Sequence, residues 1–131
     1  MHLVSVIIPC FKNKNTISRA IQSVLNQTHQ LIEIIIISDF PDEMEEIKLI
    51  VSKYPKTKFF YNSKNLGPSK TRNYGVSKSR GEVIAFLDAD DEYHPKKIEL
   101  QLRELNRENA ITCGLKKINL TGRSSYKQSR R

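Results

Sequence analysis

The chain has 131 residues, which suffices for one domain with a buried core. Its content of 38% hydrophobic and 27% charged residues is that of a globular protein, and no apolar run is long enough to span a membrane. The formal charge of +8 suits a phosphate-bearing ligand, but no aromatic residues alternate with the basic ones as in single-strand binders, so nucleic acid is not expected.

Hydrophobic periodicity predicts strands and helices that alternate along the chain. Short β-branched or aromatic runs predict strands at 3–9, 32–38, 58–62 and 82–87 and a fifth within 110–120. Apolar residues spaced three and four apart, or a proline start, predict helices at 17–25, 44–54, 68–79 and 95–105. This alternation predicts a three-layer α/β/α domain with a mainly parallel sheet.

Three strands end in residues that suit a ligand site. The first strand ends at Pro9, Cys10 and Phe11, the second at Asp39, and the fourth runs into the acidic segment 88–91. Ligands of open parallel sheets bind beyond the carboxyl ends of the strands. We therefore expect these three segments to meet at one edge of the sheet.

The segment 86–91 (FLDADD) carries three carboxylates within four residues, directly after an apolar strand. Neighbouring carboxylates repel unless a cation lies among them, and Mg²⁺ or Mn²⁺ prefers such oxygen ligands together with phosphate oxygens. The segment therefore predicts a metal–nucleotide site, and a polar turn is the alternative. The chain has neither a GxxxxGK[ST] loop nor a GxGxxG motif, so a diphosphate would need the metal and a cation such as Arg72.

Four segments, in this order, resemble family 2 glycosyltransferases, which are inverting enzymes of the GT-A fold that use nucleotide-sugar donors. They are 5–12 (SVIIPCFK), 21–28 (IQSVLNQT), 65–75 (NLGPSKTRNYG) and 81–91 (GEVIAFLDADD). The resemblance covers the N-terminal, nucleotide-sugar-binding half of that family. It implies a GT-A-like, Rossmann-like fold and a metal-dependent glycosyltransferase that binds a UDP-sugar with Mn²⁺ or Mg²⁺.

The resemblance also implies roles for the strand ends. Pro9, Cys10 and Phe11 would border the nucleotide base, and Asp39 would accept hydrogen bonds from the uracil ring. A plain strand end is the alternative for Pro9, and a cap on the following helix is the alternative for Asp39. The family's DDGS turn is replaced here by residues 38–41 (SDFP), so base preference is open.

The remaining roles concern the diphosphate and the metal. The resemblance places Arg72 near the diphosphate and Asp88 near the ribose, and it makes Asp90 and its neighbour Asp91 the metal ligands. A solvated helix residue is the alternative for Arg72.

The chain is short for the resemblance. We expect an incomplete donor-binding domain over 3–120, a basic and disordered tail over 121–131, and a general base that lies beyond Arg131. The expected partners are a nucleotide-sugar donor, a glycan or lipid acceptor, and a partner chain if one supplies the acceptor half. The expected location is the cytoplasm or the inner face of its membrane. A non-catalytic nucleotide-binding module is the alternative function, and a nucleotidyltransferase is a weaker one.

Overall fold

The fold is built on one sheet, which a computed structural model describes for residues 2–108 and 115–117. The strands are β1 (Val4–Cys10), β2 (Ile32–Ser38), β3 (Thr57–Tyr61), β4 (Val83–Phe86) and β5 (Leu115–Lys117). The helices are α1 (Ile17–Leu25), α2 (Met44–Val51), α3 (Pro68–Lys78) and α4 (Lys97–Glu108), and a 3₁₀ turn (Pro41–Glu43) precedes α2.

The strand order is β3-β2-β1-β4-β5. The first four strands are parallel, and β5 pairs antiparallel with β4. Cys10 pairs with Ser38 at the ends of β1 and β2, and Leu87 donates its backbone N–H to Ile7. The mainly parallel sheet is therefore confirmed, and the carboxyl ends of β1, β2 and β4 meet at one edge.

Helices cover both faces of the sheet. Side chains of α1, α2 and α4 form the larger core on one face, whereas α3 packs on the other face over β1 and β2. Every residue of β2 is buried, as expected for a parallel strand packed on both sides. The three-layer α/β/α arrangement predicted from the sequence is thus confirmed.

The approach of α3 to the sheet depends on Gly75. A Cβ atom at this position would lie 2.6 Å from Cγ2 of Ile7 and 2.7 Å from Cδ1 of Ile37. The backbone of α3 therefore packs directly on these two isoleucine side chains, which only glycine permits. This contact fixes the height of α3 above β1, and with it the positions of Thr71 and Arg72 one turn earlier.

A polar network closes the opposite edge of the sheet. The carboxylate of Glu33, within buried β2, accepts hydrogen bonds from the Ser5 hydroxyl and the Arg80 backbone N–H. Its other oxygen lies 3.4 Å from Nζ of Lys58. Burial alone would raise the pKa of Glu33, but these hydrogen bonds and the lysine charge lower it below its ordinary value of 4.5.

Most predicted boundaries agree with the structure to within two residues. Helix α4 extends three residues beyond its predicted end at 105, and the predicted end of α2 is three residues too late. This helix ends at Val51, whereas the sequence pattern extended it to Tyr54, which instead packs on the core from a turn. Strand β5 falls within the predicted 110–120, but the rest of that range and the predicted tail 121–131 lie outside the described residues. No helix of the described part is long and apolar enough to cross a membrane.

Candidate functional site

A cavity of about 330 Å³ opens at the carboxyl edge of the sheet. Four predicted site residues line it: Pro9, Cys10, Phe11 and Asp39. The rest of its wall comes from the loop before α3 and from the first turn of that helix. Its volume is in the range of small-molecule sites, and its position is the one expected for ligands of parallel sheets.

Asp39 forms the floor of the loop that precedes α3. Its side chain is buried, and its Oδ1 accepts hydrogen bonds from Asn62 Nδ2 and the Leu66 backbone N–H, each at 2.8 Å. Its Oδ2 accepts hydrogen bonds from Asn65 Nδ2 at 3.1 Å and from the Gly67 backbone N–H at 3.0 Å. Four donors therefore occupy the carboxylate, which offers about four acceptor positions.

This arrangement differs from the capping alternative for Asp39. Neither the 3₁₀ turn nor α2 has a side-chain cap, so capping of the helix that follows β2 is wrong. The carboxylate instead lies before the N-terminus of α3, where the helix dipole favours negative charge. Gly67 adopts a positive φ of 92° there, which glycine tolerates without strain. Contact between Asp39 and a nucleotide base stays a prediction.

Sequence reasoning missed the partners of Asp39. Asn65 and Gly67 lie inside the segment 65–75 quoted for the resemblance, so the motif was visible without its structural purpose. Asn62 carries no comparable signal. It is buried at the end of β3 and also donates a hydrogen bond to the Thr71 hydroxyl at 3.0 Å.

Two aromatic side chains pack together next to the cavity: Phe11, which lines it, and Phe40. The rings of Phe11 and Phe40 lie 5.1 Å apart, and the Lys12 ammonium lies 5.3 Å from each ring centre. Phe40 belongs to the segment that replaces the family's DDGS turn, so the small residues expected there are replaced by a ring that packs on Phe11. Lys12 is exposed, and its ammonium makes cation–π contacts with both rings.

Cys10 contributes an uncharged side chain to the cavity wall. The side chain is buried, and burial, aided by the charge of Glu43, raises the pKa of its thiol above the ordinary value of 9.0. A buried thiol of this kind is a poor nucleophile. Cys10 therefore shapes the cavity without a reactive role.

The acidic segment forms an exposed turn directly after β4. Asp88, Asp90 and Asp91 are exposed, while Ala89 between them is buried, and the Asp91 backbone N–H donates to the Asp88 carbonyl at 3.0 Å. Arg72 on α3 brings Nη2 within 3.8 Å of Asp88 Oδ1. The structure thus brings two predicted site residues together beside the cavity that α3 also lines.

The oxygen donors of this turn fit a hard cation that a ligand completes. Residues 2–108 and 115–117 contain no group of three or more acidic, cysteine or histidine side chains poised around a metal position. Mg²⁺ needs only one or two carboxylates when phosphate oxygens and water fill its other positions. The Asp90 carboxylate has no hydrogen bond or ion pair within the described part, whereas Asp91 Oδ1 accepts the Glu92 backbone N–H. Asp90 is therefore the freer candidate ligand.

Comparison with protein-family models identifies the family of the chain. The model of glycosyl transferase family 2 matches residues 5–131. The chain belongs to glycosyl transferase family 2. The predicted resemblance is thereby confirmed over nearly the whole sequence.

Relatives of this family 2 chain are longer proteins. A glycosyltransferase of Rickettsia bellii is 42% identical over 109 residues, which cover 82% of this chain and 16% of that protein. The Escherichia coli UDP-Glc:alpha-D-GlcNAc-diphosphoundecaprenol beta-1,3-glucosyltransferase is 32% identical over 108 residues, which cover 82% of this chain and 43% of that enzyme. The chain thus spans less than half the length of these relatives.

The fold is also that of solved glycosyltransferases. A mannosyltransferase from Pyrobaculum calidifontis, solved in complex with GDP-Man and Mn²⁺, matches with a TM-score of 0.73 at 16% identity. The match covers 86% of this chain and 35% of that one. At this identity the likeness concerns the fold, and it confirms the GT-A-like architecture of the family 2 chain.

Proposed function

We propose that this chain binds the donor of an inverting glycosyltransferase reaction: a UDP-sugar together with Mn²⁺ or Mg²⁺. In that reaction a hexosyl group passes to a glycan or lipid acceptor. Family membership supports the reaction class. The Escherichia coli relative supports the donor and acceptor classes, because its name specifies UDP-Glc and a diphosphoundecaprenol-linked sugar.

The observation that carries the proposal is the link between cavity and acidic turn. Thr71 lines the cavity, and the next residue, Arg72, lies against Asp88. One turn of α3 thus touches both a cavity suited to a nucleoside and a turn suited to a metal. A nucleoside diphosphate has this same division, with an uncharged aromatic base at one end and charged phosphates at the other.

In this proposal each part of the donor, and the metal, is assigned to residues of the site. The base enters the cavity beside Pro9, Cys10 and Phe11, above the loop that Asp39 holds. Asp90, with Asp91 next to it, holds the metal, and Asp88 faces the ribose. The metal supplies charge neutralisation for the leaving diphosphate.

Arg72 adds a second cation for the diphosphate. Its side chain is about two-fifths exposed, and its Nη2 lies 3.8 Å from Asp88 Oδ1, too far for a strong ion pair. We propose that it turns from Asp88 to the diphosphate when the donor binds, because guanidinium groups bind phosphate oxygens in a bidentate manner. A general base is assigned to no residue of the described part, and we propose that residues outside that part supply it.

The donor site is tested by calorimetric titration of UDP into the protein, first with Mn²⁺ and then with EDTA. We expect metal-dependent micromolar-to-millimolar binding in Mn²⁺, and a weaker residual affinity in EDTA. Asp90→Asn should abolish the metal-dependent part, while Glu45→Gln, at an exposed carboxylate on α2, should leave it intact. Equal UDP affinity in Mn²⁺ and EDTA would contradict the metal role, and absence of binding from folded protein would overturn the proposed donor site.

A parallel titration with GDP examines base selection. Phe40 packs on Phe11 of the cavity wall and stands where the family has a small residue, and we propose that it reduces the space beside the base. We expect UDP to bind more tightly than GDP, because a purine ring needs more room than uracil. The cytoplasmic location and the domain limits 3–120 and 121–131 stay predictions.

A further inference from the structure

The segment between β4 and α4 has no regular secondary structure, yet it carries every proposed metal ligand. Backbone without a helix or strand must be held by other contacts if its side chains are to keep their positions. In this protein several of those contacts come from one side of α1 and from the residues just after it. The second segment of the family resemblance, 21–28, overlaps the end of α1, and no function has been given to it above.

Three polar side chains spaced four residues apart make these contacts. Arg19 Nη2 donates a hydrogen bond to the Asp90 carbonyl at 3.1 Å, and Arg19 Nε lies 3.8 Å from Glu92 Oε2. The Ser23 hydroxyl oxygen accepts the Tyr93 backbone N–H at 3.0 Å. Residues four apart share one face of a helix, so these contacts form a row along α1.

Gln27 continues the row beyond the last turn of α1. Its buried amide donates to the His94 carbonyl at 2.7 Å and accepts the Ile98 backbone N–H at 3.1 Å. We call Arg19, Ser23 and Gln27 the α1 row. It binds the backbone of the irregular segment at four successive points, from Asp90 to the first turn of α4.

We propose that the α1 row positions the acidic turn, and that Arg19, through the Asp90 carbonyl, sets the affinity of the metal-dependent donor site. The inference rests on the proposed function for its ligand. Arg19 is a positioning residue, because its contact is with the backbone of a metal ligand. Groups that orient metal ligands change metal affinity by about 10- to 100-fold when they are removed.

Arg19 is the member of the row that tests this most directly. Its side chain is more than half exposed, so its ion pair with Glu92 contributes little to stability and Arg19→Ala should fold normally. Gln27 is buried, and Gln27→Ala would leave a carbonyl and an N–H unpaired, which lowers stability as well. The matched control is Gln22→Ala, an exposed residue on another face of α1 that bonds only with Asn26 in the described part.

The experiment measures UDP affinity in Mn²⁺ and in EDTA for the wild-type chain, Arg19→Ala, Arg19→Lys and Gln22→Ala. We expect Arg19→Ala to weaken Mn²⁺-dependent binding about tenfold and leave binding in EDTA unchanged. Arg19→Lys should recover part of the affinity, and Gln22→Ala should equal the wild type. A wild-type affinity for Arg19→Ala would overturn the proposal.

A double-mutant cycle separates positioning from direct contact with the donor. In the Asp90→Asn background, where the metal ligand is already lost, Arg19→Ala should cause no further change in UDP affinity. An equal loss with and without Asp90 would mean that Arg19 binds the diphosphate itself, and positioning would be wrong.

Hydrogen exchange tests the row without any ligand. Arg19→Ala should speed exchange of the amides at Asp91 and Glu92, and the amide of Tyr93 should be affected less because Ser23 still accepts it. Unchanged exchange would refute positioning whether or not UDP binds. Conversely, faster exchange in a chain that fails to bind UDP would uphold the row and reject the proposed function.

Discussion

The two halves of the candidate site are built in opposite ways. Around Asp39 a buried carboxylate is surrounded by four donors from the loop that precedes α3. Around Asp90 the carboxylates are exposed, and the backbone is held from outside by α1. The first region is complete as it stands, whereas the second presents repelling charges that a cation would bring together.

This difference separates shape from charge in the binding of a donor. The cavity wall around Asp39 is already held by hydrogen bonds, so it loses little conformational entropy when a base binds. This favours recognition of the base by its shape. A turn whose carboxylates are exposed contributes only when a metal and phosphates arrive. Substitutions around Asp39 should therefore mainly lower folding stability, whereas substitutions around Asp90 should mainly weaken ligand binding.

The largest effect is expected from Asp39→Asn. The substituted amide directs an NH₂ group at two N–H donors and removes the charge next to the N-terminus of α3. We expect a loss of about 3 kcal/mol in the free energy of unfolding. That corresponds to a fall in Tm of roughly 10 °C for a domain of this size. Calorimetric or circular dichroism melting measures it.

Asp42→Asn is the matched control, because Asp42 is exposed in the 3₁₀ turn just after Asp39. It should leave Tm within about 1 °C of the wild type. UDP binding by Asp39→Asn, measured well below its Tm, should weaken in Mn²⁺ and in EDTA alike. A stable Asp39→Asn protein would show that the four hydrogen bonds do not hold the loop.

An intermediate effect is expected at the far edge of the sheet, where Glu33 is bonded as Asp39 is but lies away from the cavity. Its folded-state pKa is below its ordinary value of 4.5, so its stabilising effect is complete above that value. The effect is lost as pH falls through the lower folded-state pKa. Glu33→Gln should therefore lower stability at pH 7 by about 1 kcal/mol.

Denaturant unfolding from pH 7 to pH 3 measures this. The difference between Glu33→Gln and the wild type should shrink towards the acid end, and Glu45→Gln, at an exposed carboxylate of α2, should show no comparable trend. UDP affinity at pH 7 should be unchanged, because the network lies at the opposite edge from the cavity. A constant difference across the pH range would show that charge on Glu33 is not what stabilises the edge.

Much of this organisation could be predicted from sequence because it rests on local patterns. The continuous apolar runs of β1 and β2 and the spacing of Ile17, Ile21 and Val24 predicted the correct elements, since periodicity reflects which side is buried. The convergence of strand ends followed from the rule for parallel sheets. The end of α2 did not follow, because Tyr54 keeps the apolar spacing of a helix while packing from a turn.

Partnerships across long stretches of sequence could not be predicted. Asp39 bonds residues 23 to 28 positions later, and Arg19 reaches a carbonyl 71 positions later. Hydrophobic periodicity and residue propensity do not predict such pairings, because the topology of the fold brings the partners together. Glu33 within an apolar strand was the one visible anomaly, and a buried acid that requires partners is a signal that sequence reasoning can use.

The smallest effect on stability is expected from Asp90→Asn, which makes it the sharpest contrast with Asp39→Asn. The side chain is exposed and unbonded within the described part, and its removal relieves repulsion in the acidic turn, so stability should change by less than about 0.5 kcal/mol. With UDP and Mn²⁺ at about ten times the dissociation constant, the wild type should gain about 1.4 kcal/mol. The variant should gain almost none. The same change from Asp to Asn would then lower the free energy of unfolding at Asp39 and only the free energy of ligand binding at Asp90. If Asp90→Asn instead lowered Tm as much as Asp39→Asn does, the acidic turn would be part of the folded framework, and the contrast between a prebuilt base site and a ligand-completed metal site would be wrong.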